Sequence, residues 1–380
     1  MISNRSKLMT ILIAVALAAG MAACSNAVGG TGRLGLSLAD ASTDLYRAIY
    51  VSVAEVQVHF GEDPADMWTT VASPAKTYDL LSLVNGARES LGLADLSPGH
   101  YTQMRLILDD LPDDSLNILS QAHPYAQYVI DTSDQYHEMK VPSGLQSGVK
   151  IVQGFDINEN STTELILDFD ASRSVVVAGR SGNYLLMPAI QILDLTLAAV
   201  VSGTVTNAAD QTALESALVS AQSYDAAASD PKDQVVVRAS TVSDLAGGYK
   251  IFVGGGTYGL VAAKDGFAPA AFEKVLADGA TETQDFGLTA TSAGTLTGTV
   301  AITGAGTETF ATISIRKSVT FGAATVMIEV ASVNIAEGGT YSLLLAPGAY
   351  TAVAWTAGKP TQAADVAIAA GGATTLNLSF

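Results

Sequence analysis

The chain has 380 residues, 48% of them hydrophobic, and a formal net charge of −18. A field of that sign repels phosphate backbones and excludes nucleic acid as a partner. The abundant Val, Leu, Thr and Ala, with 35 Gly and 11 Pro, describe a β-rich chain with frequent turns, and its length predicts two or three domains.

The first segment is a leader. Arg5 and Lys7 precede sixteen uncharged residues, Leu8 to Ala23, which run into Cys24, the only cysteine. A basic start, an apolar core and small residues before the break are the layout of a secretory signal. Sixteen helical residues rise only about 24 Å, short of the roughly 30 Å of hydrocarbon that a spanning helix crosses. Met21-Ala22-Ala23-Cys24 resembles the bacterial lipoprotein box, with Met21 where Leu is usual. The resemblance implies that residues 1–23 are removed, that Cys24 is lipidated and that 24–31 form a short tether. The protein would then be exported and lipid-anchored to the cell envelope, at the outer membrane or cell surface, as Ser25 rather than Asp after the cysteine implies. An ordinary signal-peptidase site is the alternative, since Ala16, Ala18, Gly20 and Ala22 alternate. With its one thiol acylated, the mature chain forms no internal disulfide, and burial and hydrogen bonding supply its stability.

Beyond the tether the chain reads as strands. Val51 and Val53 share one face, and Val56, Val58 and Phe60 then take it over, which predicts a β-bulge near Ala54-Glu55. Thr102, Met104, Leu106 and Leu108 alternate with their neighbours, as do Val149, Ile151, Phe155 and Ile157. Leu165-Leu167-Phe169, Val175-Val177 and Tyr184 to Leu195 follow. Tyr78 to Leu93 is the one stretch expected to be helical in part. Strands this close, divided by turn residues, predict a sandwich or barrel.

The second half repeats itself. Val201-Ser202-Gly203-Thr204-Val205 returns 95 residues later as Leu296-Thr297-Gly298-Thr299-Val300, and Tyr249, Tyr258 and Gly279 return 92 later as Tyr341, Tyr350 and Gly371. The expected fold class is mainly β: a β-rich domain over 32–198, then two tandem β-sandwiches over 199–290 and 295–380. The S-G-T-V element, Ser243 to Tyr249, Gly256 to Ala262 and Gly266-Phe267 resemble carboxypeptidase regulatory-like domains, which implies seven-stranded Ig/transthyretin-like sandwiches. The second copy diverges, with Asn334 to Gly338 in place of the S-D-x-x-G element. Residues 31–197 resemble the domain of unknown function 4382, through Leu36 to Ala41, Leu96 to Leu106, Val141 to Ser143, Leu167 to Val175 and Tyr184 to Pro188. Neither resemblance implies a catalytic residue.

Few residues suggest chemistry. Asp156 to Asn160 begins like a calcium loop, but Ser161 and Leu167 stand where Gly and a bidentate Glu belong, so a polar hairpin turn is expected. Asp109, Asp110, Asp113 and Asp114 surround Leu111-Pro112; a weak calcium site there is weighed against a solvated acidic turn, and no cofactor is otherwise expected. Asp168 and Asp170 suit capping before Ala171-Ser172 better than a hydrolase pair. His59, His100, His123 and His137 show no zinc spacing, no G-x-S-x-G occurs, and Gly254 to Gly256 reads as a hairpin apex. Only Trp68 and Trp355 offer an indole platform, so both are candidate ligand contacts, with edge packing the alternative for Trp355.

Function follows the envelope placement: a non-catalytic structural or adhesive lipoprotein, its sandwiches forming a stalk that projects the first domain. The alternatives are a carbohydrate- or peptide-binding protein acting through the sandwiches, and an envelope hydrolase with a site assembled from separate loops. The expected partners are the membrane, through the N-terminal lipid, and a glycan or protein ligand.

Overall fold

The computed structural model describes residues 30–41, 45–61, 68–141, 148–177, 183–304 and 309–380. The expected signal segment 1–23, Cys24 and the expected tether as far as Gly29 lie outside them. So do Ser42 and most of Val141 to Ser143. Among the described residues no helix is long and apolar enough to cross a membrane. The fold is mainly β, as expected.

The first module stacks two sheets. One holds Gly32–Ala41 between the parallel strand Thr162–Asp170 and the antiparallel strand Glu89–Leu96, with Ile190–Asp194 at the edge. The other is built on Tyr46–Phe60, fifteen residues long, which pairs with Gly99–Leu108 and Gln127–Asp131. Leu34, Leu36, Leu38, Val56, Val58, Met104, Leu106, Leu167 and Phe169 meet between them as the core. The register of Tyr46–Phe60 against Gly99–Leu108 shifts between Val53 and Glu55, the bulge that the sequence predicts. A second shift, between His59 and Phe60, turns Tyr101 inward beside Met104.

One expectation is met here by a single turn only, and another fails. Tyr78 to Leu93 holds a single 3-10 turn, Leu80–Ser82, and then turns into the strand Glu89–Leu96. The Asp79 carboxylate accepts from Leu81 N–H at 3.2 Å to start the turn, and Asn85 and Gly86 at positive φ prevent its extension. The turn at Asp156 to Asn160 is no hairpin: Phe155–Ile157 pairs with Gly99–Leu108, whereas Thr162–Asp170 pairs in the opposite sheet. The segment passes from one layer to the other.

The second and third modules are one design built twice. In each, the opening strand (Ala199–Asn207, Gly294–Ala301) pairs antiparallel with the tyrosine strand (Gly248–Val253, Thr340–Leu345) and parallel with two short closing strands. Four further strands, in matching order, make the facing sheet. The side chains repeat too. Tyr249 Oη donates to Gln284 O and Tyr341 Oη to Leu376 O, both at 2.6 Å. Tyr258 and Tyr350 bond Gly254 O and Ala346 O likewise. Thr204 leans on Asp285 as Thr299 leans on Asn377. Gly254 to Gly256 therefore forms a corner between two sheets, not a hairpin apex, because the strands it joins are unpaired with each other.

The modules do not form the expected file. The third folds back on the first, where Val177 bridges Ile335 in parallel and makes one continuous sheet of both. Its central hairpin, Phe310–Phe321 with Ala324–Ala336, is longer than the second module's Leu218–Tyr224 with Val235–Val242. The added length reaches across the second module, so that Val261 joins the third module's core.

Candidate functional site

Where the three modules converge they leave a cleft of about 460 Å³. Alternation along Leu218–Tyr224 sends Val219 and Ala221 into the second module's core and leaves Leu218, Ser220 and Gln222 as the cleft floor. Glu329 to Val333 form one wall, Ser342 to Ala346 another, and Arg173 with Asp170 closes one end.

Arg173 stands on the single helical turn Ala171–Ser174, which Asp170 caps by accepting Arg173 N–H at 3.1 Å. Its guanidinium bonds Glu329 Oε1 at 2.9 Å and lies 3.4 Å from Asp170. Glu329 raises the pKa of Arg173 further above its usual value, against the effect of burial, with help from Asp170. The other Glu329 oxygen accepts from Ser314 Oγ at 2.6 Å, and Arg316 Nε donates to that hydroxyl at 3.0 Å. Arg316 is only 1% exposed; burial pushes its pKa down, and its remaining donors meet the carbonyls of Pro231 and Lys232 in the second module. Asn334 Nδ2 donates to Arg173 O at 2.8 Å. The charges are matched within the protein, and their partners come from all three modules.

The predicted site residues lie elsewhere. Trp68 is covered by the Arg105 guanidinium, 4.2 Å from its ring centroid, and by His59. Trp355 is half-buried opposite Thr312, in another module. The exposed rings of Phe60, Tyr125 and Phe272 each lean on a buried ring, Tyr101, Tyr128 and Phe286. Neither indole lines the cleft. The four aspartates do not converge on a cation. Asp113 accepts from Thr77 N–H and Ser115 N–H, both at 2.9 Å, and Asp109 from Leu111 N–H, so these two carboxylates serve turns. Among the described residues no three His, Cys, Asp or Glu side chains are placed to hold a metal ion.

The histidines stay apart: His100 meets Asp156, His137 meets Asp131 and stacks on Tyr184, and His59 reaches Thr102. His123 forms a contact that no sequence motif signals, with Ser115 Oγ 3.1 Å from Nε2 and Tyr128 Oη 2.7 Å from Nδ1. Burial lowers its pKa, partly offset by Asp113. A hydroxyl on an imidazole is the start of a nucleophile–base pair. Ser115 stands on an open loop outside the cleft, and the contact stitches residues 115–126 together.

One comparison settles the first module. Residues 31–188 match the family described as "Domain of unknown function (DUF4382)". The DUF4382 domain therefore contributes Asp170 and Arg173 to the cleft, while its other walls belong to the two sandwiches. No curated protein matches the chain. Among solved structures it is similar to the Bacillus anthracis TIE protein, at 15% identity over 92% of this chain and 50% of that one, with a TM-score of 0.21. It is similar also to a Streptococcal ancillary pilin, at 10% identity over 91% and 98% with a TM-score of 0.21. A shaft pilin of Lactobacillus rhamnosus GG follows, at 12% over 48% and 97% with a TM-score of 0.20. The chain spans half the length of the first of these, and superpositions this loose identify no shared site.

Proposed function

We propose that the chain is a non-catalytic lipoprotein of the cell envelope, anchored through lipid on Cys24 at the outer membrane or cell surface, and acting as a structural, adhesive or binding unit. The run from Arg5 to Cys24 carries the reading: a basic start, an uncharged core and the chain's only thiol at its end. A fully acylated cysteine with three chains anchors stably where one chain would not. The mutual docking of the modules supports a compact presented unit over an extended stalk. The duplicated tyrosine and threonine hydrogen bonds support assigning the second and third modules as carboxypeptidase regulatory-like sandwiches. The partners of this reading are the membrane and a protein or glycan ligand, not nucleic acid.

Labelling cells with a tritiated fatty acid tests the anchor. The wild-type chain is expected to carry label and partition with membranes, and Cys24→Ser to lose both. An unlabelled wild-type chain, or an unchanged partition of the variant, overturns the proposal.

A further inference from the structure

Between the strands Gly99–Leu108 and Gln127–Asp131 the DUF4382 domain makes one long excursion. Its ends meet at Ser52, whose carbonyl accepts Asp109 N–H and whose N–H donates to Ala126 O, so residues 109–126 form a closed surface loop. The loop's own side chains fix its underside. Asn117 is buried, and its Oδ1 accepts from Leu119 N–H at 2.9 Å and from Gln121 N–H at 3.2 Å. Ile118 N–H donates to Tyr50 Oη at 2.8 Å, and His123 joins Ser115 to Tyr128. Leu119 turns down onto Tyr50, Tyr128 and Ile130. The outer side is apolar. Leu111, Leu116, Ile118 and Tyr125 are between 39% and 69% exposed, and they are four of the thirteen large hydrophobic residues that stand exposed among the described residues. Leu116 bridges Ala122, and alternation sends Leu116 and Ile118 outward on either side of the buried Asn117. A loop pinned in this way cannot fold these side chains under, and apolar groups gathered on one exposed element mark a contact surface.

The charge around these side chains has one sign. The loop carries Asp109, Asp110, Asp113 and Asp114 and no lysine or arginine. Asp109 and Asp113 serve turns, whereas Asp110 and Asp114 stand exposed beside Leu111 and Leu116 and enter no ion pair among the described residues. A second copy of the chain would set acid against acid, on the same face by symmetry and elsewhere through the net charge of −18. Anionic lipid headgroups are repelled for the same reason. From this combination we infer that the loop 109–126 is a docking surface for a partner protein that offers an apolar hollow flanked by lysine or arginine. Leu111, Leu116 and Ile118 fill the hollow, Tyr125 borders it, and Asp110 and Asp114 meet the cations at its rim. Binding imposes little ordering cost on the loop, because its backbone is already held. The inference gives a surface and a partner to the binding reading proposed above and rests on it, but not on the lipid anchor: a chain that fails to take up fatty acid is still tested here.

The full chain is produced in its own cells with the photoreactive residue p-benzoylphenylalanine in place of Ile118 or, for comparison, of Leu245, which is exposed on the second module. Irradiation is expected to give one discrete protein adduct from position 118 and none from position 245. Digestion and mass spectrometry are expected to place the crosslink beside lysine or arginine in the partner. Asp110→Lys with Asp114→Lys is expected to reduce the adduct about tenfold at an unchanged melting temperature, and Leu116→Ser to do the same. If the lysines disturb the turns at Asp109 and Asp113, Asp110→Asn with Asp114→Asn keeps the side-chain shape and is expected to reduce the adduct about threefold. The absence of an adduct, an equal yield from position 245, or a yield indifferent to both aspartate pairs overturns the inference. So does an adduct to lipid or to a second copy of the chain, because it would assign the loop to a different occupant.

Discussion

Gln222 and Glu329, 107 residues apart and in different modules, are joined by two hydrogen bonds between a side-chain amide and one residue's backbone. Both residues are more than nine-tenths buried, so the contact is made away from water. Gln222→Leu leaves a buried N–H and a buried carbonyl unmet, at a cost of about 1–3 kcal/mol for each group. Urea denaturation is expected to show a loss of about 3 kcal/mol, and hydrogen exchange to show the Glu329 amide losing protection first. Gln222→Glu retains the acceptor but sets an anion against the Glu329 carbonyl, and is expected to be no better than Leu.

The Glu329 carboxylate is shared between Arg173 directly and Arg316 through Ser314. Removing the shared anion strands two guanidinium groups, one of them almost fully buried. Glu329→Gln is expected to destabilise by about 3 kcal/mol, the usual cost of breaking a buried pair from one side. Arg173→Met added to it should cost much less than it does alone. A double-mutant cycle in urea measures this, and additive losses would show that the pair is not coupled.

The local layout was legible because it follows from backbone periodicity. The slip in phase between Val53 and Val56 gave the bulge, and the 92-residue spacing of Tyr249, Tyr258 and Gly279 gave the duplication. Tyr78 to Leu93 showed its short helical stretch, but not that it would stop at the one 3-10 turn, Leu80–Ser82, where Leu80 and Leu83 serve as two points of core contact. Gly254 to Gly256 misled because a glycine run serves a hairpin and a sheet-to-sheet corner equally. The candidate site was not legible. Gln222, Ser314, Arg316 and Glu329 alternate with core residues, the pattern of a solvent face, and only the return of the third module buries them. Tryptophans and aspartate runs drew notice by residue type, yet the cleft is made of ordinary strand residues brought together from three modules.

The twin tyrosines offer a test of the duplication as energetics. Tyr249→Phe and Tyr341→Phe each delete one hydroxyl-to-carbonyl bond while keeping the ring in its core. Each is expected to cost about 1 kcal/mol. Their sites share no partner, so the double variant should lose the sum to within about 0.5 kcal/mol. Gly203→Ala and Gly298→Ala are expected to be worse, because an added Cβ meets the carbonyl of Gln284 or Leu376, the same oxygen that the tyrosine uses.

Acid stability follows from three aspartates of the DUF4382 domain. Burial raises Asp79 to about 6 and Asp168, which borders the crevice against the second module, to about 7. Asp40 lies well above the usual range, chiefly through burial; its Oδ1 accepts from Ala171 N–H, and no described protein group meets its Oδ2. Between roughly pH 4 and 7 the folded chain holds protons that the unfolded chain has released, so stability falls as pH rises across that window. Below it the sign reverses, because Asp230, held down to about 2 by hydrogen bonds from Thr361 and Lys232, must be protonated for the chain to unfold by acid. The melting temperature is therefore expected to peak near pH 4 and to be several degrees lower at pH 7.5. Asp168→Asn should flatten the upper limb while leaving the acid limb in place, and a wild-type maximum above pH 7 would contradict the assignment.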